Sequence, residues 1–182
     1  MAMEHTPQAG SAGSARPIED FAEDARNLDA AAFAEKHAHA FLLLSSTHLK
    51  APAGVSSTEV LLDDFEDDPR ARTANLAVLV FPMRPAQGHL VTLGRAPNND
   101  VVIVDPSISR FHAMAKRSDD AGFLILDARS TNGTTVNGAS VAARGTGPAT
   151  GLKPGDTIRM GQVEFTFTDA RTFQEFAREA GG

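Results

Sequence analysis

The sequence predicts a mainly β protein, a β-sandwich with an N-terminal helical extension and a short C-terminal helix. Three observations carry this. After residue 74 the chain breaks into short apolar runs divided by turn residues. Several of those runs alternate apolar and polar side chains, as in Val163-Glu164-Phe165-Thr166-Phe167-Thr168, the period of a strand with one buried face. Helical spacing shows only near the two ends.

Residues 1–17 are rich in Ala, Gly and Ser and are expected to be disordered. From Ile18 to Glu35, Phe21, Ala25, Leu28 and Ala32 recur at helical spacing and Phe33 widens the stripe, so one amphipathic helix is predicted. The run Phe41-Leu42-Leu43-Leu44 has strand length. An acidic loop follows, with Asp63-Asp64-Phe65-Glu66-Asp67-Asp68-Pro69 at its centre. Residues 18–74 thus read as an extension, and 75–170 as the sandwich. Its predicted strands are Leu76–Phe81, His89–Leu93, Val101–Val104, Phe111–Lys116, Phe123–Asp127, Thr134–Val136, Thr157–Met160 and Val163–Thr168. Residues 171–182 form the closing helix and tail, with Asp169 as N-cap, Phe173 and Phe176 on one face and Gly181 at the stop.

Composition excludes several classes. The net charge of -6 is uneven: residues 1–74 carry 6 Lys/Arg against 13 Asp/Glu, and residues 75–182 carry 11 against 10. Neither part offers the basic face of a non-specific nucleic-acid binder. All eleven aromatic residues are Phe, with no Tyr or Trp to stack on bases. With no Cys, disulfides and thiolate metal sites are impossible. Residues 1–15 lack a basic start and an apolar stretch, and no run approaches a membrane span. A soluble, cytoplasmic protein is expected.

Chemistry-bearing residues concentrate between Gly94 and Gly138. Blocks appear in order: Leu93-Gly94-Arg95, Asn99 to Ile103, Ser107-Ile108-Ser109-Arg110-Phe111-His112-Ala113, Leu126 to Gly138 and Leu152 to Gly161. A guanidinium is a permanently charged planar fork of donors. A cation and neutral hydrogen-bonding side chains on neighbouring loops of a β fold suit a phosphate carrying about -1.5 to -2 charge.

In sequence and order these blocks resemble the forkhead-associated (FHA) domain, a β-sandwich that recognises phosphothreonine peptides, over roughly residues 75–170. The resemblance implies that Arg95 is the main phosphate ligand and that Ser109 donates its hydroxyl to the phosphate. Thr131 also contacts the phosphate, while Asn132 bonds the peptide backbone. Ser109, Thr131 and Asn132 have a second reading as turn chemistry. Arg110 either assists through its backbone N–H and its charge or is a solvated surface arginine. His112 braces the binding loop rather than acting as an acid or base. Asn137-Gly138 is a hairpin signal in its own right and orders a loop; Gly94, Gly133, Gly155 and Gly161 are backbone requirements. Loops near Ala96–Asn99, Ser107 and Thr134 set the preference after the phosphothreonine. Phe or aliphatics stand where many relatives carry a larger aromatic.

No catalytic residue, cofactor or metal site is expected. Gly145 to Lys153 lacks the ending of a phosphate-binding loop, His37, His39 and His48 do not make a zinc site, and Asp63 to Asp68 lacks the glycine and terminal Glu of a calcium loop. There is no G-x-S-x-G, H-E-x-x-H or kinase motif set. The expected role is that of a bacterial single-FHA adaptor in Ser/Thr kinase signalling. Its partner would be a threonine-phosphorylated protein, the kinase or a substrate, with no nucleic acid or membrane involved. The alternative is a phospho-independent scaffold or oligomerisation protein using residues 1–74 or a sheet face; oligomeric state stays open. Thr58 or Thr73, once phosphorylated, could occupy the pocket of its own or a neighbouring chain.

Overall fold

The computed structural model describes residues 15–45, 78–86, 88–118 and 122–180. The expectations for residues 1–14, the acidic loop, Thr58 and Thr73 lie outside them.

Among the described residues there are twelve strands and three helices. The strands are β1 (Arg16–Pro17), β2 (Ala40–Ser45), β3 (Val78–Pro82), β4 (Leu90–Gly94), β5 (Val101–Val102) and β6 (Ala113–Ser118), then β7 (Gly122–Asp127), β8 (Thr134–Val136), β9 (Ala139–Ser140), β10 (Thr150–Leu152), β11 (Thr157–Met160) and β12 (Val163–Asp169). The helices are α1 (Glu19–Asn27), α2 (Ala30–Lys36) and α3 (Ala170–Ala180). One sheet has seven strands in the order β1-β3-β2-β12-β11-β8-β9; the other has five in the order β10-β7-β6-β4-β5. All pairs are antiparallel except β4 with β5. This is the sandwich the sequence predicts.

Alternation along the strands divides the apolar residues between two cores. Ala40, Leu42 and Leu44 of β2, Phe81 of β3 and Phe165 and Phe167 of β12 point between the sheets. Phe41 and Val80 point the other way, where Phe21, Ala25, Phe33, Phe173 and Ala177 of the helices cover them. The seven-stranded sheet is therefore buried on both faces in this region. That explains why Phe41-Leu42-Leu43-Leu44 is a continuous apolar run rather than an alternating one. Phe41 and Phe173 meet with ring centroids 4.2 Å apart, and Phe21 stands edge-on to Phe173 at 5.2 Å.

Several boundaries differ from the sequence reading. Strand β2 is no peripheral extension, since it pairs with β3 and with β12 inside the sheet. Residues 15–17 are ordered: Ala15 packs on the main core and β1 pairs with β3 through Arg16↔Val80 and Pro17↔Leu79. The single helix expected over Ile18–Glu35 is two. Leu28 is extended at φ -101°, ψ 149°, ending α1, and Asp29 then caps α2 by accepting the Ala32 N–H at 2.8 Å. The break exposes carbonyls that α3 satisfies. Gln174 Nε2 donates to Ala25 O (3.1 Å) and Leu28 O (2.7 Å), and Arg178 Nε donates to Ala25 O. On α3, Phe173 is fully buried while Phe176 is 42% exposed, so its inner face runs through Ala170, Phe173, Gln174 and Ala177. Asp169 does cap this helix, accepting the Thr172 N–H at 2.8 Å.

Candidate functional site

Three loops meet beside the five-stranded sheet. They join β4 to β5, β5 to β6 and β7 to β8, and both backbone and side-chain groups make their contacts. The Arg95 N–H donates to Ser109 O (3.0 Å) and the Ala96 N–H to Arg110 O (3.1 Å). Asn99 is buried, and its Nδ2 donates to Ala96 O (2.8 Å) and Arg110 O (2.7 Å). Arg95 Nε donates to Ile108 O at 3.2 Å, which holds one edge of the guanidinium and leaves the Nη edge toward solvent.

His112 is completely buried behind this loop. Its Nδ1 accepts the Ser109 N–H at 3.0 Å, and Nε2 faces Gly133 O at 3.2 Å. That pattern requires the neutral ring with the proton on Nε2. One imidazole thus ties the loop bearing Ser109 to the loop bearing Thr131, and no ring nitrogen remains for acid–base work. Burial pushes its pKa below the ordinary histidine value, more than the Gly133 carbonyl and the Asp127 charge push it back. His37 and His39 are also lowered, with burial the first cause in each. Below the ordinary value of 6.5 the unfolded chain therefore binds more protons than the folded one, and stability falls as pH falls. Urea midpoints measured at about pH 7.5 and about pH 5.5 should decrease with pH; a midpoint that holds or rises on acidification contradicts the neutral-ring arrangement.

Asp127 organises the opposite wall. It accepts the Ser130 N–H (2.8 Å), the Ser130 hydroxyl (2.6 Å) and the Thr134 hydroxyl (2.7 Å). Burial raises its pKa, but these hydrogen bonds outweigh burial and hold the carboxyl below the ordinary carboxylate value. Between Asp127 and Ser130 the chain turns through Arg129 at φ 65°. A left-handed residue other than Gly or Asn costs on the order of 1 kcal/mol or more. Gly133 at φ 77° closes the same turn.

The resulting cavity is lined by Arg95, Ser107, Ser109, Arg110, Phe111, Arg129, Thr131 and Asn132, with Pro106 and Ile108. Of the sequence-derived candidates, Arg95, Ser109, Arg110, Thr131 and Asn132 come together here. Gly94 and His112 are buried behind them, and Gly133 is exposed, with its carbonyl facing His112. Asn137 and Gly138 lie elsewhere: Asn137 Nδ2 donates to Asp156 Oδ1 (2.8 Å) and Asn137 Oδ1 accepts the Thr157 N–H (2.9 Å), bracing the β8–β9 turn against the entry to β11. Thr131 donates its N–H to Ser109 Oγ at 3.0 Å. The two hydroxyl oxygens stand 3.4 Å apart, a long contact that a stronger acceptor can replace. Asn132 Nδ2 donates to Ser107 O at 2.7 Å.

Two residues within the loops expected to set the preference after the phosphothreonine do not face the cavity. Thr134 is buried with its hydroxyl on Asp127, and Asn99 is a buried brace. Residues the sequence reading missed are Arg129, Phe111, which is 40% exposed at the rim, and Asp127. An Asp followed three residues later by Ser is a turn signal that could have marked Asp127.

A β-sandwich that presents arginines and hydroxyls from three connecting loops defines a loop-based binding domain. Residues 91–161 match the family model of the FHA domain. It is 40% identical over 79 residues to the ABC transporter ATP-binding/permease protein Rv1747 of Mycobacterium tuberculosis, covering 43% of this chain and 8% of that protein. It is 34% identical over 83 residues to the transcriptional regulatory protein EmbR of the same species, covering 46% and 20%. It is 33% identical over 78 residues to the oxoglutarate dehydrogenase inhibitor of Corynebacterium diphtheriae, covering 43% and 50%. The chain thus spans half or less of each of these relatives. Among solved structures it is similar to the second FHA domain of the M. tuberculosis transporter Rv1747, at 36% identity and a TM-score of 0.39, covering 48% of this chain and 80% of that one. No helix among the described residues is long and apolar enough to cross a membrane.

Proposed function

We propose that this chain is a phosphothreonine-peptide reader, docking a threonine-phosphorylated segment of a partner protein in Ser/Thr kinase signalling. The observation that carries the reading is the cavity lining, which has Arg95, Arg110 and Arg129 beside the Ser109 and Thr131 hydroxyls and no carboxylate. In a chain of net charge -6, that local excess of positive charge selects an anionic ligand. Arg95 supplies the main charged fork, with its orientation fixed through Ile108 O. The Ser109 hydroxyl turns from its long contact with Thr131 toward a phosphate oxygen, and Thr131 does the same from the facing wall. Asn132, held by Ser107 O, keeps its Oδ1 for a backbone N–H of the peptide. Arg110 adds charge at the rim. His112, with both ring nitrogens engaged, shapes these loops without touching ligand.

This is binding without catalysis, and its partner is a phosphorylated protein, the kinase itself or one of its substrates. A cytoplasmic site of action accords with kinase-generated ligand. The scaffold reading has less support. Phe41 and Leu42, the apolar residues that residues 1–74 would bring to such an interface, are fully buried, and β2 pairs on both sides. The test is binding of a degenerate phosphothreonine peptide library, with phosphoserine and unphosphorylated libraries as controls. Selective retention of phosphothreonine sequences is expected. Equal retention of the unphosphorylated library by the folded protein would overturn the reading.

A further inference from the structure

Arg129 stands out among the cavity residues. Its backbone is left-handed at φ 65°, a conformation that Gly or Asn adopts more readily. The turn itself is held by Asp127, which binds the Ser130 N–H and hydroxyl; neither bond involves the residue 129 side chain. What an arginine adds here is therefore its side chain, kept despite the backbone strain. Strain retained at a ligand-facing position points toward function. The side chain is also fixed, since Arg129 Nε donates to Arg144 O at 3.3 Å.

The charge balance gives the same direction. Arg95, Arg110 and Arg129 share one lining, and none of them takes part in an ion pair with a described acidic residue. A phosphothreonine brings about -1.5 to -2. Two guanidinium groups neutralise it, and the third is left over.

We propose that Arg129 forms a second anion-accepting position beside the phosphate pocket. The ligand of this chain is then a threonine-phosphorylated segment with a second acidic side chain, a carboxylate or another phosphate, close to the phosphothreonine. This rests on the phosphopeptide reading above and names a narrower class of ligand for the same site. Arg129 selects among phosphorylated segments, while Arg95 takes the phosphothreonine.

The test uses the full chain and a phosphothreonine peptide on a neutral background. A single Asp, or in a parallel set a single phosphoserine, is walked through the positions on either side. Wild type should bind peptides acidic at one or two adjacent positions roughly two- to fivefold more tightly than the neutral peptide, the scale of one solvent-accessible charge pair. Arg129→Gly, which suits the left-handed backbone, should abolish that difference. Arg129→Lys should restore part of it. The Asp and phosphoserine sets distinguish a carboxylate from a phosphate as the second anion. Uniform affinity along the walk in wild type, or a preference that survives in Arg129→Gly, would overturn the proposal while leaving phosphothreonine dependence intact. Binding that ignores phosphorylation altogether, read from the unphosphorylated neutral peptide, would remove the phosphopeptide reading and this proposal with it.

Discussion

Replacement of Arg95 by Ala is expected to remove phosphopeptide binding almost completely. A fork of hydrogen bonds to a phosphate combines charge with geometry, and each charge-assisted bond contributes about 1.5–3 kcal/mol. Loss of two such bonds lowers affinity by roughly a hundredfold or more. The fold should survive, because Arg95 is exposed and its backbone bond to Ser109 O does not depend on the side chain. The one intramolecular bond lost, Nε to Ile108 O, frees a carbonyl at the edge of an open cavity. Arg95→Lys keeps a charge but not the fork, so it should fall between wild type and Ala. Titration of a fluorescent phosphothreonine peptide, with urea midpoints measured in parallel, checks this. An Ala variant that binds within about threefold of wild type would move the phosphate to Arg110 or Arg129.

What the sequence made legible follows from where its signals are local. Strands β8 and β11 lie where alternation and flanking turns place them, and β12 runs one residue further. Local periodicity needs no knowledge of partners. Phe41 to Leu44 is legible as a strand for the same reason, but its place between β3 and β12 is not. That position depends on pairing with Phe167 and Thr168, more than a hundred residues away, and on helices covering its outer face. The break at Leu28–Asp29 is illegible for a related reason. The stripe Phe21, Ala25, Leu28 continues smoothly across it, and what stabilises the break is Gln174 from the far end of the chain.

The site divides the same way. Arg95, Ser109, Thr131 and Asn132 are found from motif blocks. Motifs alone do not separate Thr131, exposed in the cavity, from Thr134, buried on Asp127. They are the same residue type three positions apart, and the direction of each is set by the turn between them. Arg129 escaped notice because its significance lies in a backbone angle, which residue type alone does not reveal.

Gly94→Ala is expected to damage both stability and binding, through backbone crowding alone. Gly94 ends β4 under the turn that carries Ser109 and Arg110. A Cβ there would lie 2.5 Å from Arg110 O and 2.9 Å from its carbonyl carbon. Backbone atoms cannot rotate out of the way as a side-chain tip can. Arg110 O also accepts from Asn99 Nδ2 (2.7 Å) and from the Ala96 N–H (3.1 Å), so moving it strains the bonds that join two of the three binding loops. Overpacking of this kind costs about 1–3 kcal/mol, with the weakened hydrogen bonds adding on the order of 1 kcal/mol. Since Arg95 hangs from the same junction through Ser109 O, the fork and the Ser109 hydroxyl lose their mutual placement. Affinity for phosphopeptide should fall at least about tenfold even where the variant remains folded, because misplacement of fixed donors acts on every bond they make. Gly151→Ala is the control, since its Cβ would meet nothing within 4 Å and the residue lies on β10. Urea midpoints and peptide titrations on both variants decide the matter: a Gly94→Ala protein as stable as Gly151→Ala would show that the loops can separate without cost, and that close approach at Gly94 does not hold the site together.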